Sequence, residues 1–313
     1  MAGKENQEAI LDDFIHHKTT HCESKLRQYH ETGEPCCLDE AIQVSRASLD
    51  MPRHPATEPI LLMILSKSLL HRYVVIGKHA DLQEAISTAE LAVTATPEGN
   101  PNLPSYIGHL ADALERLYTP TGPSNFLEQG WRTASLATRL HTIYKRNGVV
   151  MLLQEAIRLA QVAAEATPEG HREHPGRLDT LGTLLIARFE RIGALEDLRE
   201  AVRRSEEAAA ATPVDHPDRA RVLYNLGNRL STRFDRTGAL EDLHEAIRRG
   251  EESVAATPVD NPNRAIVLNS LGSHLSTRFD RTGALEDLRE AIRRSEEAVV
   301  ATPVDHPVVN IDS

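Results

Sequence analysis

Between residues 219 and 258 the apolar side chains fall into two helical stripes separated by a glycine. Leu223, Leu226, Leu230 and Phe234 follow one another at spacings of three, four and four, which puts them on one face of a helix. That run closes in "RTG", where Gly238 can take the left-handed conformation favoured just past a helix C-terminus. Leu240, Leu243, Ile247 and Val254 then form a second stripe. It stops at Thr257-Pro258, because a proline ring cannot continue a helix. "VDNPNR" turns the chain into the next helix. The pattern predicts an antiparallel helix pair with one apolar side. Such a pair cannot bury that side alone and must stack on a neighbour.

The neighbours are present. "LSTRFDRTGALEDLHEAIRRGEESVAATP" from Leu230 returns at Leu275 with four of its 29 positions changed, at an offset of 45. The register runs back through turn glycines at Gly33, Gly77, Gly122, Gly148, Gly193, Gly238 and Gly283. First-helix leucines stand at Leu65, Leu110, Leu136, Leu181, Leu226 and Leu271. Second helices carry Ala41, Ala85, Ala156, Ala201, Ala246 and Ala291, and close at Pro52, Pro97, Pro168, Pro213, Pro258 and Pro303. Seven pairs are expected, one of them incomplete. The first keeps its turn but little of its leucine face. The fold class is all-α, a right-handed superhelical solenoid of antiparallel helix pairs with an irregularity near residues 119–131. The divisions are a degenerate N-terminal repeat (1–52), repeats two and three (53–131), regular 45-residue repeats (132–304) and a disordered tail (305–313).

The irregularity is a step of 26 between Leu110 and Leu136 where 45 is the rule. The third pair lacks room for its second helix. A long helix from about Asn125 to Arg146, capped by Ser124, would follow directly and carry Trp131, the one tryptophan. The spacing fits a kink or break in the superhelix, or a lesion in the sequence that the fold absorbs.

Composition narrows the function classes. The net charge of −11, with Arg alternating with Glu in runs such as "LREAIRRSEEA", predicts solvated helix faces laced by pairs such as Glu245–Arg249 and Arg248–Glu252. It gives no basic groove for nucleic acid. Acidic side chains on the second helices are expected at the surface, where pairing is worth little. "ILLMILSKSLL" (Ile60–Leu70) is too short for a bilayer and is interrupted by Lys67, so no membrane contact is expected. The start has no secretory h-region. The three cysteines, Cys22, Cys36 and Cys37, make no disulfide framework, which fits a cytoplasmic location.

In the second helices, "L-x-x-A-I-x-x-G-x-x-S-x-x-x-x-P" places Ala246, Gly250, Ser253 and Pro258; the next unit gives Ala291, Ser295, Ala298 and Pro303. The first helices carry Leu226-Gly227 and Leu271-Gly272. This spacing resembles the tetratricopeptide (TPR) repeat, in which small residues let the two helices approach closely. Ala111, Ala137 and Ser66 replace that glycine in other units. The unit of 45 residues is longer than the family's 34. It resembles kinesin-light-chain-type TPR units, and more closely the fungal arrays that accompany caspase-like CHAT or nucleotide-binding signalling domains.

No catalytic constellation accompanies the repeats. A CHAT protease would need a His/Cys pair beyond them, and no cysteine lies past Cys37; there is no GxxxxGK[ST] phosphate loop. The effector is therefore expected to be absent, and the chain is not expected to be an enzyme or to bind a cofactor. His16, His17, His21, Cys22, His30, Cys36 and Cys37 cluster near the start, but no CxxC spacing appears and adjacent cysteines suit one tetrahedral ion poorly, so no metal is expected. His216-Pro217, His306-Pro307 and Asn261-Pro262 look like loop punctuation, since Asn stands where His does.

The TPR resemblance implies a partner groove along the first helices. Carried over by position, it picks Arg221, Tyr224, Asn228, Ser231 and Thr232, and in the next unit Asn269, Ser273, Ser276 and Thr277. Hydroxyls and amides there suit the backbone of an extended peptide. Asn225 and Asn228 sit where some TPR domains hold a carboxylate, but the lysines of that clamp are missing. The expected function is a non-catalytic scaffold for a peptide or protein partner. The alternative is a stand-alone sensor array of a fungal signalling protein. The last repeat, with Leu288, Ile292 and Val299 on its outer side, is a candidate for self-association.

Overall fold

The computed structural model describes residues 2–50, 57–117 and 126–302, and among these every regular element is a helix. The pairs are α1 (Ala2–Thr32) with α2 (Pro35–Leu49), α3 (Glu58–Ile76) with α4 (His79–Ala95), α8 (His174–Ile192) with α9 (Leu195–Ala211), α10 (Arg219–Thr237) with α11 (Leu240–Ala256), and α12 (Arg264–Thr282) with α13 (Leu285–Ala301). Each member packs on its partner, and consecutive pairs pack on each other, α2 against α3 as closely as against α1. Between them lie α5 (Leu103–Leu117), α6 (Phe126–Asn147) and α7 (Val150–Glu165). The chain divides into two compact units, Met1–Leu159 and Ala160–Ser313.

The expected pairs and turns are present. Gly33, Gly77, Gly148, Gly193, Gly238 and Gly283 all adopt φ between +71 and +77. Gly122, Ser124, Pro52 and Pro303 lie outside the described residues. The helix expected from about Asn125 to Arg146 is α6, and it packs directly on α5. Among the described residues no second helix stands between those two.

One contact repeats in every pair that the glycine position reaches. A Cβ added to Gly182, Gly227 or Gly272 would stand 3.3, 3.2 and 3.3 Å from the carbonyl oxygens of Ala201, Ala246 and Ala291. At the same place in the second pair, the Ser66 hydroxyl donates to the carbonyl of Ala85 at 2.6 Å. Both partners are small because two backbones meet there. The flanking leucines, Leu181, Leu226 and Leu271, are buried beside it. In the first pair Cys22 holds this position and is fully buried.

The second helices end by a device only half visible in the sequence. Thr96, Thr212, Thr257 and Thr302 have extended ψ values of 122, 116, 117 and 125, which the following proline enforces by crowding the helical conformation. Their hydroxyls turn back and donate to the carbonyls of Ala92, Ala208, Ser253 and Ala298 at 2.6–2.9 Å. The first residue of the next helix answers the remaining carbonyls. Arg219 donates to Ala209 and Thr212, each at 2.7 Å, and Arg264 donates to Val254 at 3.1 Å and to Thr257. A cation is well placed at this negative helix end. In the loops, His216 Nδ1 accepts from the Asp218 amide at 3.1 Å and Asn261 Oδ1 from the Asn263 amide at 2.8 Å. His and Asn interchange there because each offers one acceptor to the backbone two residues on.

The acidic residues at the start of the second helices correct the expectation of weak surface pairs. Asp81, Asp197, Asp242 and Asp287 are buried. Each accepts both bonds of an arginine nine residues earlier, across the turn: Arg72 at 2.8 and 2.8 Å, Arg188 at 2.7 and 2.5 Å, Arg233 at 2.8 and 2.5 Å, Arg278 at 2.8 and 2.6 Å. Such forked pairing is stronger and more directional than a point-charge contact. On either side of the turn between α6 and α7 the same two positions are Ile143 and Leu152, both buried. Four turns thus carry an ion pair where this one carries two buried apolar side chains, and where the turn between α1 and α2 carries Gln28 and Cys37. The surface pairs Glu245–Arg249 and Arg248–Glu252 do form, at 2.7 and 3.9 Å.

The stretch read as too short for a bilayer is part of the 19-residue α3, which is long and apolar enough to cross one, with a mean hydropathy of 1.5. More than half of that window is buried. α3 packs on α1, α2, α4 and α5, which accounts for its apolar faces as core.

Replacing Asp242 with Ala strands Arg233 partly buried and is expected to cost about 2 kcal/mol. Arg233→Ile combined with Asp242→Leu, which copies the α6–α7 hairpin, is expected to recover most of that loss. Urea unfolding of the unaltered chain and the two variants checks both expectations.

Candidate partner-binding face

The first helices α8, α10 and α12 lie side by side within the unit Ala160–Ser313 and are joined laterally by polar side chains. Asp179 of α8 is the centre of the first junction. Its buried carboxylate accepts from Arg221, from Asn225 Nδ2 at 2.9 Å and from Arg229 Nη1 at 2.9 Å. Arg221, Asn225 and Arg229 are four residues apart on α10, so they present one row to α8. Arg229 also donates to the hydroxyls of Ser205 and of Thr183, the latter at 2.7 Å, and to the Asp179 carbonyl at 3.1 Å. Burial pushes the Arg229 guanidinium below its usual pKa, against the pull of Asp179. At the second junction the Ser270 hydroxyl donates to Asn228 Oδ1 at 2.5 Å.

These bonds sort the nine residues that position alone picked out. Arg221 is half-exposed but already engaged with Asp179 and, at 3.4 Å, with Asp218. Thr232, Ser273 and Thr277 donate to the carbonyls four residues back, at 2.9, 3.0 and 2.9 Å, so those hydroxyl protons stay within their own helices. Asn269 and Ser273 are exposed; Tyr224, Asn228, Ser231, Ser276 and Thr277 are half-buried.

The face contains a cleft of about 470 Å³ where the start of α10 meets the loop into α12. Tyr224, Ala220, Ile266 and Val267 provide apolar walls; Arg221, Asn225, Asn261 and Asn263 provide polar ones. Of the nine residues only Arg221 and Tyr224 line it. Ser273 and Ser276 line a separate depression with Leu288, Ile292 and Val299. Sequence reasoning missed Asp179, Arg229, Asn261 and Ile266. The signal for Arg229 was available: the place it holds is Leu184 one unit earlier and His274 one unit later, and all three are buried.

His274 has no acid of its own, because the place of Asp179 is Tyr224 in the preceding unit. Its Nδ1 is buried without a hydrogen-bond partner among the described residues, and burial pushes its pKa down to about 4. The histidines and cysteines near the start disperse. His21 pairs with Glu40 at 3.2 Å, His30 meets His71 edge-on at 4.7 Å between ring centroids, and Cys22 is core. Cys36 and Cys37 converge with Glu34.

The repeated helix pair, its small-residue contact and its laterally joined first helices define a helical-repeat protein. The tetratricopeptide-repeat family model matches residues 176–218, 219–257 and 264–308. No curated protein matches the chain. Among solved structures, similarity extends to a kinesin-light-chain-like protein of Podospora anserina with nearly identical TPR-like repeats (18 % identity, 79 % of this chain and 98 % of that one, TM-score 0.36). It extends also to BtubC from P. vanneervenii (13 %, 97 % and 96 %, TM-score 0.44).

A histidine held neutral by the fold stabilises it fully above its unfolded pKa of about 6.5 and less as pH falls toward 4. Lowering the pH from 7 to 4.5 is therefore expected to remove about 2 kcal/mol through His274. His274→Leu, which copies Leu184, is expected to lose that part of the dependence in urea unfolding at the two pH values.

Proposed function

We propose that this chain is a non-catalytic scaffold that holds an extended peptide of a partner protein against α10 and α12. The observation that carries this reading is the Tyr224–Ile266 cleft. Its apolar walls would take one side chain, and the Asn261 and Asn263 amides beside them are donors and acceptors for a peptide backbone. The network behind it supports the same reading. Asp179, Arg229 and Ser205 satisfy one another and fix α10 against α8, so the cleft wall is preorganised and binding need not order it. Tetratricopeptide repeats as a class serve protein interaction. Peptides selected from a random displayed library on the intact chain are expected to lose about tenfold or more in affinity to Tyr224→Ala with Ile266→Asp, since central aromatic anchors carry 2 kcal/mol or more. Equal binding by a folded double variant would sink the reading.

A second reading rests on α13. Ile247 and Val254 of α11 are 4 % and 7 % exposed beneath α12, whereas their counterparts Ile292 and Val299 are 52 % and 74 % exposed. The face that receives a first helix in one unit is bare among the described residues in the next. We propose that a first helix of a second copy fits it. Sedimentation at rising concentration is expected to show association that Ile292→Glu abolishes; a monomer throughout rules it out.

A further inference from the structure

The N-terminal end of α2 gathers three metal-ligating side chains that the partner-binding face does not use. The Glu34 carboxylate and the Cys36 and Cys37 thiols present donor atoms that all lie within 4.8 Å of one another. Cys36 Sγ is 3.9 Å from Glu34 Oε2. Glu34 and Cys36 are exposed, while Cys37 is buried, so the cluster has an inner wall and an open side. Lys25 sits beside it, held by Glu40 at 2.8 Å, close enough to feel both thiols.

Two adjacent thiols in a helix have few chemical outlets. Consecutive Cα atoms stand about 3.8 Å apart across a trans peptide, whereas a disulfide needs about 4.4 Å or more. The pair cannot close on itself without breaking the first turn of α2. A single ion between the sulfurs makes a smaller demand. With metal–sulfur bonds of about 2.3 Å, a tetrahedral or trigonal ion spans sulfurs about 3.8–4.0 Å apart, inside the range in which these donors already lie. The adjacency that argues against a closed structural zinc site is thus compatible with an open one. Two thiolates select a soft cation over magnesium or calcium, and the carboxylate supplies a third ligand.

We propose that Glu34, Cys36 and Cys37 form an open three-ligand site for a thiophilic divalent cation of the zinc and cadmium class, with solvent completing its coordination.

The test uses the full chain, reduced and metal-free, titrated with cadmium and followed by the ultraviolet charge-transfer band that thiolate ligation produces. Zinc competition and circular dichroism accompany it. One equivalent of cadmium is expected to bind and to be displaced by zinc. Cys36→Ser and Cys37→Ser are each expected to weaken binding by at least about tenfold, since losing even an outer partner of a metal ligand costs that much. Glu34→Gln should weaken binding while keeping the band, and Cys22→Ser should change neither. Three results overturn the proposal: no band in the wild-type chain, a band that survives in the folded Cys36→Ser/Cys37→Ser double variant, or a band that disappears with Cys22→Ser.

Discussion

The closeness of two backbones governs this molecule. Where Gly182, Gly227 and Gly272 face the carbonyls of Ala201, Ala246 and Ala291, a methyl group is already a tight fit. The leucines beside those glycines then reach the neighbouring helix, and the hairpin has one spacing rather than a range of them. Ser66 shows what the position tolerates. Its side chain is larger than hydrogen, but its hydroxyl turns the carbonyl into a hydrogen-bond acceptor instead of an obstacle. It also receives His109 Nε2 at 2.9 Å; since the serine proton is already given to Ala85, that histidine nitrogen is the donor.

Once the spacing is set, polar groups decide the relative placement of neighbouring helices. The arginine–aspartate forks tie four of the hairpins across their turns, and the Asp179 cluster ties one first helix to the next. Arginine also lies over the faces of buried rings: Arg236 is 5.3 Å from the centre of Phe189 and Arg281 is 5.9 Å from that of Phe234. These contacts join units one repeat apart. A candidate binding face built this way rests on side chains with little freedom to move.

Helix periodicity, turn glycines and closing prolines were legible in the sequence because each answers to a backbone rule that acts within a few residues. The placement of α6 as the next described helix after α5 followed from spacing alone. The binding face was less legible. Position along a first helix told which residues look outward, but not that Arg221 and Asn225 are spent on Asp179, 42 and 46 residues away. Nor did it tell that Thr232 and Thr277 bond to their own helices. Aspartates 197, 242 and 287 read as surface charge because their arginines sit across a turn, in the preceding helix. A lateral reading, comparing Leu184, Arg229 and His274 as one place in three units, finds the buried polar position that a linear one passes over.

The turn between α6 and α7 is flanked by the buried Ile143 and Leu152 at the places where four other turns carry an arginine–aspartate fork. Apolar contact weakens on cooling and ignores ionic strength, while a partly exposed ion pair is screened by salt and becomes relatively cheaper to desolvate as temperature rises. One architectural joint is thus built from two materials with opposite responses to the surroundings. No single change of salt or temperature loosens every joint of the array at once.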